Sequence, residues 1–203
     1  MAKIALIGAS GNAGARILKE LSDRGHIVTG IARTPEKIAA LPGVTAVAGD
    51  VFDVNGLAGI LKGHDAVISS VHFLASDPDK LIAAVRASGV TRYLVVGGAG
   101  SLEVAPGKRL VDQPDFPAAY HAEASKGAEF LDILRGIDDL DWTFLSPAAM
   151  FVPGERTGTF RLGTDQLLVG EGGSSISFED YAVALVDEIE APKHIRQRFT
   201  VGY

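Results

Sequence analysis

The chain has 203 residues, 47% of them hydrophobic, and its 19 Lys and Arg against 25 Asp and Glu leave a formal net charge of −6. That is enough apolar material to bury one sizeable core, so a single domain suffices, and the acidic balance argues against a broad grip on DNA or RNA, which needs a basic face. The absence of cysteine removes disulfides, thiolate metal sites and thiol nucleophiles, and suits a reducing compartment.

"KIALIG", residues 3–8, is a continuous apolar run of the kind that forms a strand covered on both faces. It breaks at Gly8, and charged Arg16, Lys19 and Glu20 follow, so it reads as a buried first strand and not as a leader peptide. No stretch approaches the ~18 apolar residues of a membrane-spanning helix, and the expectation is a cytoplasmic protein with no membrane partner. "NAGARILKELSDRG" carries Ile17, Leu18 and Leu21 at helical spacing and stops at Gly25. "HIVTGIAR" predicts a second strand, "PEKIAAL" a short helix with Pro35 in its first turn, and "VTAVAGD" a third strand. The pattern repeats with "VNGLAGILKG" as helix and "DAVISSV" as strand. Then comes "DPDKLIAAVRASG", a helix with Asp77 as N-cap and Pro78 at its first position, and "TRYLVVGG" as a fifth strand.

A loop from Ala99 to Pro117 precedes the helix "AAYHAEASKGAEFLDILRG", and "DWTFLSP" makes a sixth strand. Strands alternating with helices of this length imply right-handed crossovers and an α/β fold with a doubly wound parallel sheet. After Pro147 the composition turns to Gly and Thr with short strand-like pieces. "EDYAVALVDEIE" returns to helix, and "RQRFTVGY" reads as a closing strand. Residues 1–203 are therefore expected to form one domain, with 148–203 as a small substrate lobe over the sheet edge.

Gly8, Gly11 and Gly14 spell G-x-x-G-x-x-G between the first strand and the first helix. Gly8 suits a tight turn, Gly11 lets backbone approach a diphosphate, and Gly14 lets the helix pack near the strand. The free N–H groups around Ser10, Asn12, Ala13 and Gly14 would point at the anion, with side-chain hydrogen bonds added by Ser10 and Asn12. The second strand ends "GIARTPEK": Arg33 stands where an NAD site carries a carboxylate, and a guanidinium there suits a 2′-phosphate. This favours NADP(H), with NAD(H) as the alternative. Asp50 and Val51 end the third strand where adenine would lie, and the Asp50 carboxylate either accepts from the exocyclic amine or caps the next turn. Ser69, Ser70 and Val71 end the fourth strand and Gly97 and Gly98 the fifth, both at the topological switch point, where small residues leave room for ribose and nicotinamide.

With Gly8-x-Ser10-Gly11-x-x-Gly14, Arg33, "GDVFD" and "LSPAAMF" in view, nearly the whole chain resembles the atypical short-chain dehydrogenase/reductase group. Within it the chain is similar to the small NAD(P)H-binding proteins labelled NADH-flavin reductases, relatives of flavin/biliverdin reductase B and of NmrA-like proteins. The resemblance implies a Rossmann fold, bound NADP(H) or NAD(H), and hydride transfer to a flavin or similar electron-poor ring, the flavin being substrate and not prosthetic group. It also implies Lys126 as a donor to the nicotinamide ribose, although a surface lysine paired with Glu123 or Glu129 is an equal reading. Ser101 matches the position of a pocket serine in the flavin reductase relatives, and Pro147 would shape the nicotinamide wall.

The chain departs from the wider group at its Tyr-x-x-x-Lys pair. Ala122 precedes Lys126 by four residues, while Tyr120, six residues away, faces elsewhere on the helix. His121 and Ser125 share a face, but neither is a phenol acid. Two readings survive: reduction of a flavin or quinone-like ring that needs no strong protein acid, or a non-catalytic sensor of NADP(H). The first gains support from an apolar cover of Met150, Phe151 and Phe160, with His72 and Phe73 opposite, although each aromatic taken singly reads first as core. An epimerase or dehydratase of nucleotide sugars ranks last, for want of the tyrosine and of a larger lobe. His26, His64 and His194 have no partners at ligand spacing, and no metal site is expected.

Overall fold

The apolar runs become strands of one eight-stranded sheet in the computed structural model, which describes residues 1–203. In chain order the strands are β1 (Lys3–Ile7), β2 (Ile27–Ala32), β3 (Val44–Ala48), β4 (Ala66–Ser69), β5 (Arg92–Val96), β6 (Glu103–Ala105), β7 (Lys108–Arg109), β8 (Asp141–Pro147), β9 (Met150–Val152), β10 (Arg161–Gly163), β11 (Ser175–Ser177) and β12 (Gln197–Gly202). The sheet runs β10-β12-β8-β5-β4-β1-β2-β3, parallel throughout except for the edge strand β10. Strand order reverses between β1 and β4, so the crevice of a doubly wound sheet opens at the carboxyl ends of those two strands.

Five helices cover the two faces: α1 (Asn12–Asp23), α2 (Val54–Leu61), α3 (Pro78–Ser88), α4 (Ala118–Arg135) and α5 (Phe178–Glu190). The two-residue period of a strand sends Ile4 and Leu6 to one side, where Ile17, Leu18 and Leu21 of α1 meet Tyr181 and Leu185 of α5. Ala5 and Ile7 go to the other, under Leu57 of α2, Leu81 and Val85 of α3, and Phe130 and Leu134 of α4. Apolar residues on both faces explain the unbroken runs in the sequence. The predicted cap forms: Asp77 accepts from the amides of Asp79 at 2.9 Å and Lys80 at 3.2 Å, and Gly89, at φ 79°, closes α3.

Three expectations change. "PEKIAAL" contracts to a single 3₁₀ turn, Pro35–Lys37, because Ile38 is its only buried side chain. The loop from Ala99 contains the hairpin β6–β7 and a 3₁₀ turn, Leu110–Asp112. The tail does more than cover the sheet edge, since β12 pairs with β8 and carries β10, extending the main sheet by two strands, and only β9 and β11 form a separate parallel pair. No helix is long and apolar enough to cross a membrane.

A charge network binds the tail to α1. Glu20, only 4% exposed, accepts from Arg24 at 2.8 Å and from Arg156 at 2.7 Å through both of its oxygens. Arg24 continues to Asp187 and Glu190 on α5, each at 2.7 Å, and Glu190 meets His26 at 3.0 Å. Hydrogen bonding from Arg156, joined by Arg24, holds the Glu20 carboxyl below the ordinary glutamate range in spite of burial. Its stabilising contribution is therefore complete above the unfolded value of about 4.3 and is lost as pH falls through the lower folded value. Glu20→Gln should cost about 2 kcal/mol in urea unfolding at pH 7, because Arg156 loses its carboxylate and Arg24 loses one of its three. The gap from wild type should narrow when the same melts are run at pH 4.

Candidate functional site

The turn between β1 and α1 lies at the mouth of the crevice, and its glycines answer to different demands. Gly8 has φ 83°, and a Cβ there would stand 2.0 Å from the Ser70 carbonyl oxygen, so only glycine fits. A Cβ on Gly14 would stand 2.1 Å from the Gly8 carbonyl oxygen, which seats the first turn of α1 directly on the backbone of the preceding bend. Gly11 is different: its nearest obstacle is the Gly8 oxygen at 3.3 Å, and the residue is exposed. The chain's own packing demands Gly11 least, as suits a position kept small for something approaching from outside.

The start of α1 is open. Gly11 is its N-cap, no side chain caps it, and no acidic residue occupies its first turn. The leading N–H groups of a helix lack intrahelical acceptors, and here nothing else takes them, so they converge with the positive end of the helix dipole at the crevice. Ser10 and Asn12 are exposed beside them. Arg33, exposed at the end of β2, is the one arginine of the chain with neither an ion pair nor a hydrogen-bond partner. The others are engaged, as by Arg86 with Asp139, Arg109 with Asp132 and Arg198 with Asp165. Asp50 is exposed, and one of its oxygens accepts from the Phe52 amide at 2.9 Å in a local turn, which leaves the other outward. Val51 is half-buried against the α2–α3 side of the core.

The free amides and the permissive Gly11 fit the diphosphate of a dinucleotide, and the unpaired Arg33 stands at the end of the neighbouring strand. A family model described as NAD(P)H-binding matches residues 8–192. The chain belongs to the NAD(P)H-binding family. That family is oxidoreductase in type, and its match begins at the glycine turn. Three solved structures are close. A protein from Burkholderia pseudomallei, provisionally described as exported, is 47% identical over 100% of both chains, with a TM-score of 0.91. A provisionally named epimerase from Bacteroides thetaiotaomicron is 42% identical over 100% of this chain and 97% of its own, with a TM-score of 0.94. A provisionally named NADH-flavin reductase from Streptococcus pneumoniae is 39% identical over 100% of this chain and 99% of its own, with a TM-score of 0.87. These descriptions differ from one another, so the functional reading has to come from the site of this NAD(P)H-binding chain.

Several residues expected at the site are held elsewhere. The Ser69 hydroxyl is buried against the Tyr93 phenol at 2.9 Å, and burial pushes that phenol upward, keeping it neutral. Ser70 presents its backbone to Gly8, and half-buried Val71 lies next to it. Gly97 is required by packing, since a Cβ would meet Phe144 at 2.3 Å, whereas Gly98 is half-buried with Phe73 at 3.4 Å. Pro147 is buried in the sheet beside Val201.

Ser101 is 4% exposed, and its hydroxyl accepts from Arg198 at 3.2 Å. A guanidinium taken into the interior needs such acceptors, so Ser101 helps hold the Ala99–Pro117 loop and does not face a pocket. Lys126 pairs with Glu129 at 2.6 Å on the flank of α4, beside a cavity of about 350 Å³ shared with Asp77 and Asp79 at the start of α3. The Lys126 side chain is exposed, and in this structure it makes the surface pair with Glu129.

The expected aromatic cover also divides. Phe73 packs parallel to Phe144 at 6.4 Å and edge-on to Phe130 at 6.2 Å, as part of the core. Phe151 lies 4.5 Å from Phe178 and 4.7 Å from Tyr181 in the α5 layer. Phe160 lines a separate hollow with Leu162 and Phe199. Only Met150, 58% exposed, and the His72 side chain, 87% exposed, remain open.

One residue missed in the sequence organises this edge. The Glu123 carboxylate accepts from the amides of Phe73 at 2.7 Å and Leu74 at 2.9 Å, fixing α4 to the loop after β4. Its i, i+4 relation to Gly127, whose missing side chain makes room for the Phe73 ring, was the available signal. Thermal melts of two variants test the glycine assignments. Gly14→Ala should lose about 3 kcal/mol or more to the backbone clash, and Gly11→Ala about 1 kcal/mol or less.

Proposed function

We propose that this protein is an NADPH-dependent reductase that delivers hydride to a flavin or a quinone-like ring. The observation that carries the cofactor preference is Arg33: an exposed guanidinium without a partner, at the strand end where the adenosine ribose of a dinucleotide lies. Its forked donors match a 2′-phosphate, and a ribose hydroxyl offers it no charge. The open amides of α1 would take the diphosphate, with Ser10 and Asn12 beside it, while Asp50 has an outward oxygen for an adenine amine.

A dihydronicotinamide held there would supply the hydride, and the acceptor ring would take its one proton from water, giving oxidised nicotinamide and reduced acceptor. The protein's part is positioning. Ala122 supplies a methyl group where a phenol acid would stand, Lys126 is paired with Glu129, and Ser101 is held by Arg198. An acceptor that spreads its new charge over a ring does without these groups, and orientation alone contributes much of the rate. A carbonyl substrate would require a proton donor at the oxygen.

Titration with each nucleotide, followed by nicotinamide fluorescence, should show tighter binding of NADPH than of NADH. Arg33→Ala should weaken NADPH roughly ten- to a hundredfold, the worth of a charged hydrogen-bond pair, and leave NADH nearly unchanged. Equal affinities in the wild type would remove the role given to Arg33. Mixing NADPH with FMN and following the nicotinamide absorbance tests turnover. Tight NADPH binding with no oxidation by flavins or quinones would favour the sensor reading.

A further inference from the structure

Helix α4 lays one line of residues on the sheet. Glu123 holds the Phe73 and Leu74 amides. The Ala124 methyl lies 2.9 Å from where a Cβ on Gly100 would sit, and a Cβ on Gly127 would meet the Phe73 ring at 2.7 Å. Phe130, Leu131 and Leu134 continue the line into the core. At about 100° per residue, Tyr120 precedes Gly127 by about 700°, within about 20° of two full turns, and so lies on the middle of this same inward face. Every later member of the line is buried or half-buried. Tyr120 is 68% exposed, and its phenol has no hydrogen-bond partner.

The topology explains the exception. α4 runs antiparallel to β5 and β8, so its first turn stands beyond the carboxyl ends of the strands. Tyr120 lies three residues, about 4.5 Å along the helix axis, farther out than the Glu123 anchor. Its inward face therefore overhangs the loops that end β4 and β5, His72–Leu74 and Gly98–Gly100, on the side where the switch-point crevice opens.

We propose that Tyr120 is the outer wall of the acceptor site and that its ring stacks on a planar aromatic acceptor held over the nicotinamide. The proposal rests on the reductase reading above. The chemistry of the overhang selects a flat, weakly charged ring. Glu123, the nearest charged group on the face, turns both oxygens to the loop amides, and one of them also meets the His72 imidazole at 3.3 Å, so its charge is directed at the loop and not at a ring above it. Gly98 and Gly100 let the loop below pack close under Phe73 and Ala124, which fill the space that side chains there would need. The ring and not the hydroxyl is the working part, because Ala124 occupies the position four residues on, where a lysine would activate a phenol, and Lys126 points about 120° away around the helix. Offset stacking on tyrosine supplies both orientation and affinity.

The test is steady-state oxidation of NADPH by FMN with the full chain and the variants Tyr120→Phe and Tyr120→Ala. NADPH dissociation constants and melting temperatures serve as controls. Tyr120→Phe should leave the KM for FMN within about twofold of wild type. Tyr120→Ala should raise it about five- to tenfold, with NADPH affinity and melting temperature unchanged. An unchanged FMN KM in Tyr120→Ala would overturn the stacking role, and so would equal damage in Tyr120→Phe, which would assign the hydroxyl. A wild type that binds NADPH but does not oxidise it with FMN would instead bring down the reductase reading and this proposal with it. Failure in an active enzyme would fall on Tyr120 alone.

Discussion

The contact of Gly14 with the carbonyl of Gly8 governs the site. Backbone meets backbone there with no side chain between, and α1 can begin immediately beside the end of β1. That closeness aims the first amides of the helix at the crevice instead of at solvent. Gly8 meets a second constraint from the opposite side, the Ser70 carbonyl at the end of β4. The turn is thus wedged between the two strands where the sheet changes direction. The donors offered at this spot belong to the main chain and need no particular side chain.

Two further attachments keep the crevice in shape. On one face the Glu20 cluster joins α1 to Arg156 and to α5, and Arg16 reaches Glu179 at 3.0 Å, so the anion-binding helix is held by residues from the far end of the chain. On the other, Glu123 holds the loop after β4 to α4. Behind the rim, the buried Arg198 gathers Ser101, Ser146 and Asp165, which fixes the loop after β5 against the segment between β10 and β11. Each attachment uses a charged group with most of its hydrogen-bonding capacity filled, the condition under which burial of charge is tolerated.

The β–α alternation and the glycine turn were legible in the sequence because they depend on local pattern: unbroken apolar runs, the Asp77–Pro78 start of α3, and glycines at fixed spacing. The place of Arg33 directly after β2 was legible for the same reason, since it depends only on where the second apolar run ends. The acceptor side was less so. Lys126 and Ser101 were carried by likeness to relatives, and their surroundings here, Glu129 and Arg198, are set by helix rotation and by contacts some hundred residues away in the chain. Phe73, Phe151 and Phe160 are aromatic near the right strand ends, but which way each ring turns depends on space left by Gly98 and Gly127 or on partners in α5. The tail was the hardest to place. Nothing local in "RQRFTVGY" reveals that it lies inside the sheet next to β8.

That placement of β12 has a consequence for how the molecule is made. The strands from β1 to β5 can pair with one another as they leave the ribosome, each finding its neighbour within a short stretch already synthesised. β8 has a neighbour on one side only until β12 emerges, and β10 has none at all, although it precedes β12 in the chain. Nascent protein therefore carries an open apolar edge through the production of its last quarter, a period during which trigger-type chaperones or slow codons would matter most.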